Sequence, residues 1–93
     1  MEIEILNFFY DNEYYGKRIC VSIIHSSVTM NIELDDFDMF LNENDNIELF
    51  GNNFCFNLTT SDITHIEINE TEYGKELTVH SEMMDIIFSI SEN

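Results

Sequence analysis

Hydrophobic and polar residues alternate with a period of two through much of the first third of the chain. The alternating runs lie at residues 2–5, 19–23 and 28–34, and each places Ile, Val, Leu or Met on one side. Such alternation is typical of strands that bury one face. The loop between the first two runs contains Gly16, and a tight turn at 25–27 precedes the third. The pattern therefore predicts a three-stranded meander.

The spacing of apolar residues changes after the third run. Phe37, Phe40 and Leu41 lie at positions i, i+3 and i+4, which would place them on one side of a helix. Asp35 or Asp36 precedes them at a position suited to cap a first turn. The sequence predicts one short helix near residues 36–43.

Strand patterns return in the second half of the chain. Gly51-Asn52-Asn53 is a hairpin signal, because glycine and asparagine tolerate the positive φ that such turns require. A second turn is predicted at 72–75, whereas residues 81–85 show no clear pattern. The predicted strands are 47–50, 54–58, 63–69, 76–80 and 86–90.

These elements give a mainly β (α+β) fold, an antiparallel sandwich or small barrel of seven to eight short strands with one short helix. The 93 residues are enough for a single domain, which we assign to 1–93. Alanine, the best helix former, is absent, which agrees with a fold of strands. Cys20 and Cys55 both lie in strand-like runs and are expected to be free thiols.

The sign of the charge is the most unusual feature of the composition. The chain contains 19 acidic residues and 3 Lys or Arg, which gives a formal net charge of −16. Solubility alone needs a net charge of roughly 2 to 8 in a small domain. Because self-repulsion destabilises a compact state, the excess favours a functional acidic surface over a merely solvated one.

No Lys or Arg occurs between Ile19 and Gly74, and acids two residues apart on a strand would lie roughly 6.6 Å apart on one face. Duplex DNA also presents regularly spaced anions, so such a surface can imitate its field. The predicted partner-binding acids are Glu33, Asp35, Asp36, Asp38, Glu43, Asp45, Glu48, Glu67, Glu70 and Glu72. Charge reversal at Asp35, Asp36, Asp38, Glu43 and Asp45 together is expected to abolish binding and leave the fold intact.

Other chemistry finds little support in the sequence. No C-x-x-C or H-x-x-x-H pair is present, so a zinc site would need long-range convergence of histidines and cysteines. The acidic and Asn-rich stretch lacks the Gly and Glu that a calcium loop requires, since Ile47 and Asn53 occupy those positions. No catalytic signature occurs, and we expect no enzyme activity, no cofactor and no metal. A zinc site would have to draw on His25, His65, His80, Cys20 and Cys55.

In its size and acidic composition the whole chain resembles the small anti-restriction and anti-CRISPR proteins of phages and other mobile elements. The resemblance implies a cytoplasmic inhibitor that mimics nucleic acid and occupies the basic groove of a host defence protein such as a CRISPR effector. The partner would be a basic protein, with no direct contact to nucleic acid or membrane, and the chain a monomer or homodimer. Tyr14, Tyr15 and Tyr73 are candidate exposed anchors for such a contact.

Two alternatives remain at this point. An acidic immunity or antitoxin-like protein that neutralises a basic nuclease or toxin would have the same charge. An enzyme with a dispersed site would be supported by a deep pocket that holds His65 and His80.

Overall fold

The computed structural model describes residues 2–41, 46–51, 54–72 and 74–91. These residues form one α-helix, one short 3₁₀ helix and eight strands in two antiparallel sheets. In chain order the elements are α1 (Glu2–Asp11), β1 (Ile19–His25), β2 (Val28–Leu34), β3 (Asp38–Leu41), β4 (Asn46–Gly51), β5 (Phe54–Thr59), the 3₁₀ helix (Thr60–Asp62), β6 (Ile63–Thr71), β7 (Gly74–Ser81) and β8 (Asp85–Ser91). The mainly β fold class is thereby confirmed, and the sheets do not close into a barrel.

The larger sheet has five strands in the order β2-β1-β8-β7-β6, and the smaller sheet has the order β3-β4-β5. Hairpins join β1 to β2, β4 to β5, β6 to β7 and β7 to β8. Strand β8 pairs with β1, so the last strand lies at the centre of the five-stranded sheet beside the first. The predicted strands at 19–23, 28–34 and throughout the second half are confirmed.

One hydrophobic core joins the inner faces of both sheets to α1. Phe9 lies within it, and its ring contacts the rings of Phe8, Tyr14, Phe37 and Phe88 at centroid distances of 5.2 to 6.2 Å. These contacts connect the helix to its following loop, to the segment before β3 and to β8. Aromatic pairs at such distances contribute beyond the area they bury. The ring of Phe9 is therefore one of the contacts that hold the helix to the sheets, together with buried Ile5 and Phe8.

The first predicted strand is wrong, because residues 2–11 form α1. The alternation that suggested a strand covers only four residues, and Ile3 is in fact 65% exposed. Over the longer window Ile5, Phe8 and Phe9 have the i, i+3, i+4 spacing of a helix, and all three are buried. Burying this stripe outweighs the local alternation, and the predicted three-stranded meander is a helix followed by a hairpin.

The predicted helix near 36–43 is also wrong, because residues 38–41 form β3. Asp36 has φ 54°, which is incompatible with the first turn of an α-helix. Met39 is buried and Phe40 is 48% exposed, which is the alternation of a strand with one covered face. Pairing with β4, from Asp38 opposite Phe50 onward, satisfies the backbone of this segment.

Residues 82–84, where the sequence showed no pattern, form the connection between β7 and β8. The Ser81 hydroxyl donates to the carbonyl of Met84 and accepts from its backbone N–H, at 2.7 and 3.2 Å. Among the described residues no helix is long and apolar enough to cross a membrane.

Candidate anionic surface on the five-stranded sheet

The five-stranded sheet buries one face in the core and leaves the other uncovered. We call the uncovered side the open face, and every side chain on it is exposed or half-buried. The strand registers define its members: Thr29, Asn31 and Glu33 from β2, Cys20, Ser22 and Ile24 from β1, Asp85, Ile87 and Ser89 from β8, Glu76, Thr78 and His80 from β7, and His65, Glu67 and Asn69 from β6.

Four carboxylates and no Lys or Arg lie among these open-face residues. They are Glu33, Glu67, Glu76 and Asp85. The strand registers separate neighbouring carboxylates by roughly 7 to 14 Å. The shortest distance joins Glu67 and Glu76, which are diagonal on adjacent strands, and the longest joins Glu76 and Glu33, which are three strand spacings apart. The short end of that range is comparable to the Debye length, about 8 Å at physiological ionic strength, so the nearest carboxylates interact directly and the more distant pairs are largely screened.

The three basic residues of the chain are each engaged by near neighbours. Lys17 Nζ donates to the backbone carbonyl of Asn12 at 2.9 Å. Arg18 donates to Asp35 at 3.0 Å and lies 3.9 Å from the Glu33 carboxylate. The hydrogen bond to Asp35 raises the pKa of Arg18.

Lys75, the third base, lies 3.6 Å from the carboxylate of Glu70. Arg18 therefore partly neutralises Glu33 at one end of the open face, whereas Lys17 and Lys75 have partners outside that face. Most of the 19 acids of the chain are left without a cation to balance them.

The predicted acids fall into three places in the fold. Glu33, Asp35 and Asp36 lie on β2 and the turn after it, and Glu33 and Asp35 meet at Arg18. The second group, Glu67, Glu70 and Glu72, lies on β6 and just after it, at the opposite edge of the sheet, about four strand spacings or 19 Å away. Asp38 and Glu48 belong to the three-stranded sheet. The predicted acids Glu43 and Asp45 lie outside the described residues.

Asp38 is tied into the fold. One of its carboxylate oxygens accepts the Tyr14 hydroxyl and the backbone N–H of Met39, both at 2.8 Å. Charge reversal at this position would remove both bonds, so we now expect it to destabilise the protein.

Tyr14 is correspondingly not an exposed anchor, which corrects the prediction from sequence. It is 8% exposed and packs in the core. Burial, together with the hydrogen bond to Asp38, raises the pKa of Tyr14 to about 12. Tyr15 is 81% exposed and remains available for contact, whereas Tyr73 lies outside the described residues.

Two acids of the open face, Glu76 and Asp85, were missed by the sequence reasoning. Glu76, Thr78 and His80 are spaced two residues apart on β7 and therefore share one face. An assignment of strand faces from the sequence would have found Glu76. Asp85 begins β8, next to the segment without a pattern, and gave no such signal.

Three of the open-face side chains, His65, Glu67 and His80, form a compact cluster at the β6 edge. His65 lies directly opposite His80 across the strand pair, and their rings stack at a centroid distance of 4.2 Å. Glu67 Oε1 lies 3.8 Å from His65 Nε2 and 3.6 Å from His80 Nε2. Of the five residues considered as possible zinc ligands, His65 and His80 therefore lie together.

A strand irregularity brings His65 to this cluster. Residues two apart on a regular strand share a face, so His65 would follow buried Ile63 into the core. The register shifts between these two residues, and His65 turns to the open face instead. The sequence shows this change of face, because the isoleucines of β6 lie at the odd position 63 and then at the even positions 66 and 68.

The remaining candidates lie elsewhere. His25 is exposed at the end of β1, and both cysteines are free. Burial raises the pKa of the Cys20 thiol, with the Glu33 carboxylate contributing in the same direction.

Three clefts border the described part of the sheet. A cleft of about 330 Å³ is lined by Glu4, Ile68 and Lys75 among others. Another of about 590 Å³ is lined by Cys20, Glu72, Lys75 and Ser89 among others. A more apolar groove of about 460 Å³ runs between the sheets. None of the three is lined by His65 or His80, so none is the deep histidine pocket that an enzyme with a dispersed site would need.

Comparison with known proteins returns no relatives: no family model, curated protein or solved structure matches this chain.

Proposed function

We propose that this protein is an acidic inhibitor that occupies the basic nucleic-acid groove of a host defence protein, such as a CRISPR effector, in place of the nucleic acid. The observation that carries the proposal is the open face, where four carboxylates stand on four of the five strands and only Glu33 has an Arg or Lys, Arg18, within 4 Å. The resemblance in size and composition to anti-restriction and anti-CRISPR proteins supports it. Such targets act in the cytoplasm, where we place this protein.

The carboxylates would take the positions that phosphates occupy in the groove. Lys and Arg side chains that hold phosphates accept carboxylates in the same way, through charge-assisted hydrogen bonds. The net charge of −16 would steer the protein towards a cationic surface and speed the encounter. Because the strands fix the spacing of the acids, little ordering is needed on binding, which favours affinity.

A charge-neutralising pair tests which surface binds. Glu33→Gln and Glu76→Gln together remove two open-face charges outside the histidine cluster. Glu4→Gln and Asp11→Asn remove the same number of charges from exposed positions on α1. Both double variants have the same net charge, so they differ only in the place from which charge was removed.

The assay is fluorescence anisotropy of labelled target DNA with purified CRISPR effector–guide complexes and restriction endonucleases. We expect the wild-type protein to displace DNA from at least one of these enzymes, and the inhibition to weaken as NaCl rises from about 0.05 to 0.5 M. The open-face pair should inhibit about tenfold less well, and the α1 pair should inhibit like the wild type. Equal loss in both variants would show that net charge alone acts and would refute a role for the open face.

The same binding experiment separates the immunity or antitoxin-like alternative. A partner that binds the open face without losing its DNA would favour neutralisation of a nuclease or toxin away from its groove. Competition between the protein and DNA for one site favours the inhibitor.

A further inference from the structure

We propose that His65, Glu67 and His80 form a zinc-binding site on the open face, with Asp85 orienting His80. The three side chains bring one ligand atom each to within 4.8 Å of one another. The site is distinct from the carboxylates Glu33 and Glu76 that test the proposed function.

The proton positions around His80 leave a lone pair facing the centre of the cluster. His80 Nδ1 lies 2.9 Å from a carboxylate oxygen of Asp85. An ionised carboxylate can only accept, so Nδ1 carries a proton and donates it. In neutral imidazole the other nitrogen, Nε2, then has its lone pair free.

His80 Nε2 is buried, and among the described residues it has no hydrogen-bond partner. Its nearest polar neighbour in the cluster is Glu67 Oε1 at 3.6 Å, which is itself an acceptor. Two acceptors that face each other repel unless a proton or a metal ion lies between them. A buried polar atom without a partner destabilises the fold, so a bound cation would remove that penalty.

The hydroxyl of Thr64 places the proton of His65 in the same way. Thr64 Oγ1 donates its hydrogen to the backbone carbonyl of His80 at 3.1 Å. Its oxygen also lies 3.3 Å from His65 Nδ1, and with its own hydrogen already used it can only accept there. His65 therefore donates from Nδ1, and its Nε2 lone pair lies 3.8 Å from the same Glu67 oxygen.

The distances suit a tetrahedral ion of small radius. Zinc binds His nitrogen and carboxylate oxygen at about 2.0 to 2.2 Å, which places neighbouring ligand atoms about 3.3 to 3.5 Å apart in a tetrahedron. Two of the three separations in the cluster, 3.6 and 3.8 Å, exceed this by a few tenths of an ångström, and all three ligand atoms lie within 4.8 Å of one another. Because the two imidazole rings stack with an interplanar angle of 17°, both rings must also turn for their Nε2 lone pairs to meet at one ion.

The ligand types favour a first-row transition metal over magnesium and calcium. Two imidazole nitrogens with one carboxylate suit zinc and its neighbours in that row, whereas magnesium and calcium prefer oxygen ligands throughout. The hydrogen bond from His80 Nδ1 to Asp85 is the carboxylate–histidine contact that usually accompanies a metal-ligating histidine. Three protein ligands leave the fourth position to water or to a group of a bound partner.

Zinc binding to the full chain, after treatment with a chelator, is measured by calorimetry at neutral pH with a large excess of Mg²⁺. The magnesium occupies carboxylates that bind divalent ions without selectivity. We expect one zinc ion per chain and a rise in the thermal midpoint. His65→Ala should weaken binding on the order of 100-fold, because it removes one of three ligands. Asp85→Asn should weaken it about 10- to 100-fold.

His25→Ala is the matched control, because His25 is exposed and lies outside the cluster, at the end of β1. It should bind zinc like the wild type. Equal zinc affinity in His65→Ala and the wild type, or binding that magnesium abolishes, would overturn the proposal.

A second measurement uses the unaltered protein and is independent of how the variants fold. Zinc should shift the imidazole NMR signals of His65 and His80 and leave those of His25 in place. Shifts of all three histidines together, or of none, would contradict the assigned site. Co²⁺ in place of zinc should give the visible absorption of a tetrahedral site.

Discussion

Substitution of Tyr14 by Phe removes one hydroxyl from the core and keeps the ring that packs on Phe9 and Phe37. The lost hydrogen bond has an ionised acceptor, Asp38, so the variant should be less stable at neutral pH by about 1.5 to 3 kcal/mol. The free energy of unfolding is measured by urea titration with circular dichroism. Tyr15→Phe, at a position that is 81% exposed, is the matched control and should change little.

The dependence on pH gives the sharper result. The pKa of Tyr14 rises from 10.0 to about 12 on folding, so the folded state holds this proton more tightly than the unfolded state. The stabilisation is therefore complete below about pH 10 and is lost as pH rises through about 12. Two pKa units correspond to about 3 kcal/mol.

The gap in stability between the wild type and Tyr14→Phe should accordingly close between pH 10 and about 12, because only the wild type has this ionisable group. A gap that stays constant over this range would refute the assigned burial and hydrogen bond of Tyr14.

Further predictions concern the core, a close backbone approach and the charge. Phe9→Ala should cost about 3 to 5 kcal/mol in urea unfolding, whereas Ile3→Ala, on the exposed side of the same helix, should stay within about 0.5 kcal/mol. Gly51→Ala should destabilise by roughly 1 to 3 kcal/mol, because a Cβ there would lie 2.9 Å from a backbone carbonyl oxygen; a thermal midpoint equal to the wild type's would contradict this close approach. At Gly16 the space is open but φ is +82°, so Gly16→Ala should lose stability through backbone strain alone. The net charge of −16 predicts that NaCl raises the thermal midpoint, and a midpoint that falls with salt would count against self-repulsion.

The sequence predicted the strands of the second half well, because their hairpin turns and alternation agree. It failed where a short local pattern competed with a longer one. Residues 2–5 alternate like a strand, yet Phe8 and Phe9 extend a helical stripe that the core buries. Near residue 37 the reverse holds, since helical spacing over five residues gave way to pairing with β4. In both places the local sequence has nearly equal preference for helix and strand, and tertiary contacts decide which of them forms.

The candidate site was less predictable than the fold, because it depends on strand order. Glu33 and Glu67 are 34 positions apart and share one face only because β1, β8 and β7 lie between their strands. The alternation of residues within one strand carries no information about the order of the strands in the sheet. His65 meets His80 because the register of β6 shifts between Ile63 and His65. A strict period of two would have placed His65 on the buried face of the sheet.

Strand β2 is an edge of the five-stranded sheet, and its Val28 and Met30 are 63% and 53% exposed. An edge with apolar side chains is a template on which another copy of the chain can add a strand. At neutral pH mutual repulsion between copies opposes that pairing, but the chain has a pI of about 4.1, where the repulsion vanishes and the edge remains. Mild acidification should therefore cause the folded protein to aggregate edge to edge before it unfolds. The carboxylates that we assign to partner binding thus also prevent self-association at neutral pH.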